Sequence, residues 1–283
     1  MKYSRKDFLQ MVGGVGAGLT AGLLHLQPNN NLSGTGAASR KLKLGLASYT
    51  LRALSLDTTI QIAQQLDLKH IAFKSMHMPL DADAAIIESI RREVEVAGLQ
   101  LYGAGVIYMK SDEDVNQAFD YATKAGLEVI IGVPNHDLLP LVERKVRETN
   151  VKVAIHNHGP GDTLYSSPDD IHAKVKDLDS RIGFCIDIGH VARIKEDPVE
   201  KILKYQDRLY DIHLKDVDAE TAEGKSVEFG RGIIDLPSVL KTLAEIRYDG
   251  IMAIEFEKDE QSPVPGLAEC VGYANGIMDA LAI

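Results

Sequence analysis

Three histidines and three carboxylates fall toward the ends of four apolar runs in the second half of the chain. They are His156 and His158 in VKVAIHNH (151–158), Asp187 in IGFCID (182–187), His213 in LYDIHLK (209–215), and Glu255 with Glu257 in IMAIEFE (251–257). Imidazole mixed with carboxylate is the donor set of Mn²⁺, Zn²⁺, Co²⁺ or Fe²⁺, and carboxylates also take Mg²⁺; no thiolate obviously joins. A divalent ion of this kind polarises a carbonyl or hydroxyl and stabilises the enediolate-like charge left when a proton departs from the adjacent carbon. We assign His156, Asp187, His213 and Glu255 as the ligands, although alternation alone leaves open whether His156 or His158 binds. A core histidine or a helix-capping acid is the plain alternative at any one position. Four strand ends out of four carrying such a group are harder to obtain that way.

The runs must position these groups. In each, alternate residues are apolar: Val151/Val153/Ile155, Ile182/Phe184/Ile186, Tyr210/Ile212/Leu214 and Met252/Ile254/Phe256. Side chains alternate across a strand with period two, so the polar set lies on the opposite face. If the strands are parallel neighbours, four segments converge on one point. Small residues precede several of the polar ones in the same register: Gly45 and Ala47 before Tyr49, Ala72 before Lys74, Ala154 before His156, and Ala253 before Glu255.

From residue 41 short apolar runs alternate with amphipathic stretches. Strands are predicted at 42–49, 70–74, 99–106, 127–133, 151–158, 182–187, 209–215 and 251–257. Helices are predicted at 58–66, 84–97, 112–125, 138–149, 169–178, 198–207, 236–246 and 267–281. Asp57, Ser111 and Ser167 (followed by Pro168) read as caps, and Gly98 and Gly126 as stops before a strand. Eight alternations in one domain, residues 39–283, predict an α/β fold, a (β/α)8 TIM barrel whose active site lies at the C-terminal ends of the strands. A doubly wound sheet would carry G-x-G-x-x-G after its first strand, and LKLGLASYTLRAL has none.

Residues 1–38 read as an export signal and linker. A basic start (Lys2, Arg5, Lys6) precedes an apolar, Gly-rich stretch, and SRKDFLQ is similar to a twin-arginine signal with Lys6 at the second arginine position. The expectation is periplasmic or otherwise exported protein with no stable membrane insertion after processing. The whole chain has a net charge of −10; without residues 1–38, which hold three bases and one acid, the net is −12. So acidic a chain repels phosphate backbones, which argues against nucleic acid and for a small neutral or cationic substrate, or one held by a local basic group. Cys185 and Cys270 fall on elements expected to be far apart and are predicted to be free thiols.

Other groups lie just past the strand ends. Lys215 shares the face of His213 and is assigned with Glu255, Glu257 and His158 to proton transfer; a structural salt bridge is the competing role. Tyr49, Lys74, His77, His190 and Arg231 are assigned to substrate. For His190 a capping role is equally open, and for Arg231, in Gly230-Arg231-Gly232, a plain turn. Arg52 is a weaker candidate beside Tyr49.

At HNHG (His156), CIDIGH (Asp187), HLKD (His213), GRGIID (Gly230) and IEFE (Glu255) the chain resembles the xylose isomerase-like barrel superfamily, the sugar phosphate isomerase/epimerase group, over roughly residues 42–280. The resemblance implies a metal-dependent sugar isomerase or epimerase. The Asp187, His213 and Glu255 positions match the group's ligands. The glutamate that its ketose epimerases and hydroxypyruvate isomerases carry on strand five has no match here, since His156 stands in that strand. Members that hydrate or eliminate across 3-keto sugars, and a non-catalytic periplasmic sugar-binding barrel, are the alternative expectations. The acidic charge and the signal argue against the DNA-repair branch of the same barrel.

Overall fold

The structure, a computed structural model, describes residues 41–283; the predicted export signal lies outside the described residues. Eight parallel strands close into a barrel. In chain order they are β1 (Lys43–Ala47), β2 (His70–Phe73), β3 (Gln100–Met109), β4 (Val129–Pro134), β5 (Lys152–His156), β6 (Ile182–Asp187), β7 (Leu209–Leu214) and, after a two-stranded hairpin of β8 (Asp216–Val217) and β9 (Ser226–Val227), β10 (Ile251–Ile254). β10 closes the barrel against β1, with Lys43 opposite Ile251. The helices are α1 (Leu56–Gln65), α2 (Ala84–Val96), α3 (Asp112–Ala125), α4 (Leu139–Thr149), α5 (Pro168–Val175), α6 (Ile188–Arg193), α7 (Pro198–Tyr205), α8 (Leu236–Glu245) and α9 (Val264–Leu281).

The alternation places two apolar layers. Val153, Ile155, Phe184, Ile186, Ile212, Leu214, Met252 and Ile254 belong to the large core between strands and helices. Ala72, Tyr102, Val129, Ile131, Ala154, Cys185 and Ile251 form a second, smaller cluster; on β5 and β6 its members occupy the alternate positions, facing the lumen. Both cysteines are buried and free.

One expected register is corrected. Tyr210 is not part of the outward set: Phe184 pairs with Leu209 but Cys185 pairs with Asp211, so β7 bulges by one residue. Leu209 joins the outer core, while Tyr210 packs on the lumen cluster. Gly183 makes room for this, because a Cβ there would sit 2.7 Å from Tyr210 Cε2. A bulge adds a residue and re-aims the side chains beyond it, and here it restores Asp211, His213 and Lys215 to one face.

Several helix starts are set by side-chain capping. Ser55, rather than the expected Asp57, caps α1 by accepting from Thr58 N. Ser111 and Ser167 form capping boxes with Asp114 and Asp170, and Gly126 stops α3 at φ 63°. The short α6 and the β8–β9 hairpin have no counterpart in the sequence reading. Six residues give too few turns for a periodic signal, and two-residue strands carry no alternation.

At the C-terminal end of β1, His77 knits three segments together and is not brought to the metal-type cluster. It is buried; Nδ1 lies 2.9 Å from Ser48 Oγ, and Nε2 lies 3.1 Å from both Thr59 Oγ1 and Leu54 O. Burial holds its imidazole below the ordinary 6.5. The unfolded chain therefore takes the proton first as pH falls, so the stability tied to His77 is complete above about pH 6.5 and is lost progressively below it. The melting temperature is expected to fall between pH 7.5 and 5, with a shallower slope in His77→Gln; equal slopes would show that His77 does not contribute.

Candidate active site

Register carries four polar side chains to one height in the lumen. His156 opposes Cys185, Asp187 opposes His213, and His213 opposes Ala253, two residues before Glu255. All four are buried. One donor atom from each of His156, Asp187, His213 and Glu255 lies within 4.8 Å of the others. His156 Nε2 is 3.1 Å from His213 Nδ1 and 3.6 Å from Asp187 Oδ2, and His213 Nδ1 is 3.2 Å from Glu255 Oε2. Four ligands about 2.1 Å from one ion would stand roughly 3.4 Å apart in a tetrahedron, so the set is spaced to hold one. His156 Nδ1 and His213 Nε2 are buried without hydrogen-bond partners.

The positions are fixed from behind. Asn157, fully buried between the two histidines, receives Asp187 N at 3.0 Å on Oδ1 and donates Nδ2 to Asp187 O at 3.2 Å. It clamps the end of β5 to the end of β6. Asp187 Oδ1 also caps α6 by accepting from His190 N at 2.8 Å, leaving Oδ2 to face the cluster. Thr50 joins β1 to the far side of the site, donating to Ile254 O and accepting from Phe256 N.

Charge is concentrated here. Lys215 is buried, and Nζ lies 2.9 Å from both Asp187 Oδ2 and Glu255 Oε2, with Glu257 Oε1 in contact as well. Burial would lower its pKa, but the three carboxylates hold it well above the usual lysine range. Burial would raise Glu255, yet His213 and Lys215 hold it well below the usual range. Asp187 goes the same way: burial is outweighed by His190, Lys215 and His156. His213, penalised by burial, is carried up to about 9 by Glu255 and Asp211. Burial pushes His156 well below 6.5 and His190 down to about 4, so both present neutral imidazoles.

The other sequence-predicted residues divide. His158 lies at the rim, its ring 4.5 Å from that of His156 and Nε2 2.9 Å from Tyr108 Oη. His190 approaches Asp187 Oδ2 at 3.8 Å. Lys74 Nζ donates to Val106 O and lies between the rings of Tyr49 and Tyr108, 5.9 and 5.5 Å from their centroids. Arg52 ties back to Glu257 O and Glu260. Arg231 is not brought in: its guanidinium pairs with Glu269 at 2.6 Å. Its loop wraps Asp216, which accepts from Gly230 N, Gly232 N and Ile234 N. Gly232 allows that approach, since a Cβ there would sit 2.5 Å from Asp216 Cγ. Asp211 and Asn157 were missed by the sequence reading. Asp211 had a signal, its place two residues before His213, whereas nothing local marks Asn157.

A cavity of about 470 Å³ adjoins the cluster, lined by His190, Lys215, Ser226, Glu257 and Lys258 among others. Another, of about 450 Å³, opens at the N-terminal end of the barrel beside Lys43, His70, Tyr210 and Arg247. Chemistry in this architecture belongs to the C-terminal end, where the cluster lies.

The sequence profile of the xylose isomerase-like TIM barrel family matches residues 50–271. The chain belongs to this family. Within reach of this xylose isomerase-like barrel are a rhizopine catabolism protein of Rhizobium meliloti, 28% identical over 153 residues (49% of this chain, 46% of that protein), and an inosose dehydratase of Clostridium tetani, 29% identical over 145 residues (45% and 46%). The chain thus spans just under half the length of these curated relatives. Solved structures with the same fold include 3-keto-D-glucoside 4-epimerase of E. coli, with a TM-score of 0.67 at 12% identity over 83% of this chain and 100% of that one. A D-tagatose 3-epimerase-like protein has a TM-score of 0.66 at 19% identity, over 83% and 99%.

Removing one member of a buried ionic network leaves the rest uncompensated. Lys215→Met is expected to destabilise the metal-free protein by about 3–5 kcal/mol, read as a lower urea midpoint. Added Zn²⁺ should raise the variant's melting temperature more than the wild type's, because the ion restores positive charge beside Asp187 and Glu255.

Proposed function

We propose that this xylose isomerase-like barrel is a divalent-metal-dependent enzyme that removes a proton next to the carbonyl of a sugar or keto-sugar, an isomerase or epimerase. The observation that carries the reading is the four-donor cluster of His156, Asp187, His213 and Glu255, buried and spaced for one ion. These residues would hold the ion, which when bound supplies Lewis-acid polarisation of a substrate carbonyl or hydroxyl. Proton transfer falls to groups at the rim. Glu257, whose side chain is 35% exposed, is reachable by substrate, and its contact with Lys215 gives a carboxylate–ammonium pair able to exchange a proton with a substrate carbon or oxygen. His158, whose pKa is lowered by burial and whose Nε2 lies 2.9 Å from Tyr108 Oη, is a second acid/base candidate at the rim. His190, which lines the adjoining cavity, together with Tyr49 and Lys74, would contact sugar hydroxyls.

A second reading shares the first step. After the proton leaves, expulsion of a neighbouring hydroxyl gives a dehydratase. The inosose dehydratases among the matched relatives favour it, as does His156 standing in the strand where a glutamate would face Glu255. Export to the periplasm through residues 1–38 is part of the proposal and suits a protein that meets scavenged sugars.

Elemental analysis of purified protein should find one divalent transition metal per chain. EDTA should abolish turnover and the same metal restore it, and His213→Ala should lose both metal and activity. Glu257→Gln should keep the metal but lower kcat by about 10²–10⁴-fold. NMR in D₂O over a panel of ketoses and 3-keto-glycosides separates the two reactions: deuterium in a recovered or epimeric sugar marks the isomerase or epimerase, and an unsaturated product the dehydratase. Sugar binding that survives both EDTA and His213→Ala, with no turnover, would make the protein a sugar-binding barrel instead.

A further inference from the structure

Asp211 is a carboxyl group buried deep in the lumen, and the proposed chemistry does not use it. It is fully buried, a placement that costs several kcal/mol unless the charge is matched. Its contacts are specific. Tyr102 on β3 donates Oη to Oδ1 at 3.1 Å, Cys185 on β6 directs its thiol at Oδ2 from 3.6 Å, and His213 Nε2 stands 3.6 Å from the same Oδ2. No lysine or arginine is among these partners, which leaves the His213 ring as the group that can bring positive charge to Asp211. The two nitrogens of His213 therefore face opposite ways. Nδ1 faces Glu255 and His156, whereas Nε2 faces Asp211 and has no hydrogen-bond partner. At 3.6 Å the pair is held by charge rather than by a formed hydrogen bond.

We infer that Asp211 is a positioning residue that holds a ring proton of His213 on Nε2, so that Nδ1 is the nitrogen that gives up its proton and turns its lone pair to the ion-binding cluster when an ion binds. Metal-binding imidazoles are oriented this way by a carboxylate on the far nitrogen. The arrangement is built along a single strand: Asp211, His213 and Lys215 recur with period two on the lumen face of β7, and the bulge at Tyr210 brings Asp211 opposite Cys185. Tyr102 and Cys185 grip the carboxylate from the sides and leave its Oδ2 turned up toward the ring. The inference rests on the proposed metal site.

Calorimetric titration of Zn²⁺ into the chelator-stripped full chain tests it. Asp211→Asn preserves size but presents an amide N–H₂ to Nε2, which favours the wrong tautomer. Its Zn²⁺ affinity should fall about 10–100-fold, with the metal-free melting temperature not lowered. Tyr102→Phe removes one hydrogen bond, keeps the carboxylate, and should weaken binding less. In the zinc-loaded wild type, ¹H–¹⁵N correlation should find the His213 proton on Nε2, and this reading stands even if Asp211→Asn does not fold. Asp211→Asn binding within about twofold of wild type, or an ion on His213 Nε2, overturns the inference while leaving the metal site intact. A wild type that binds no ion overturns both.

Discussion

Asp187 and Glu255 are two carboxylates buried at the same height inside a barrel, and most of the local structure answers to their charge. Two negative groups so close in a low-dielectric interior repel strongly and lose their hydration. Lys215 stands between them at 2.9 Å from each, and His213 adds positive character from the side. That ammonium and the ion proposed for the site address the same two oxygens, Asp187 Oδ2 and Glu255 Oε2. The protein thus has an internal cation that keeps the acids ionised, and ionised carboxylates are what an incoming metal requires.

The strands deliver these groups through parity alone. On β5, β6 and β7 the outward residues are large and apolar and pack under the helices, and the lumen-facing ones end polar, at His156, Asp187 and His213. The helices behind contribute anchoring rather than chemistry. Asn157 locks two strand ends to each other, and the α6 N-terminus takes one oxygen of Asp187 so that the other is left for the site.

Charge grades outward from this centre. The deepest group, Asp211, is pushed up to about 7 by burial. Above it come the ligand set with Lys215, then the half-exposed Glu257 and the His158–Tyr108 pair at the rim. Of these groups, Lys215 and Glu257 line the 470 Å³ cavity. The β8–β9 hairpin contributes Val217, Ser226 and Val227 to the wall of that cavity.

Much of this was legible in the chain. The eight alternating runs, the Ser111 and Ser167 caps and the polar parity of Val151–His158 and Ile182–Asp187 are local properties, so period two and period 3.6 determined the barrel and grouped Asp187, His213 and Glu255 with one of His156 and His158, without deciding between the two histidines. What sequence could not determine was distance and depth. The bulge that turns Tyr210 inward depends on Gly183 in a neighbouring strand, and the roles of Asp211 and Asn157 depend on β3, β6 and the end of β5. His77 and Arg231 look like the residues that do reach the site, but tertiary packing gives one to Ser48 and Thr59 and the other to Glu269. Residue type and spacing set which face a side chain takes; only closure of the barrel, through contacts tens to hundreds of residues apart, decided which of those faces meet.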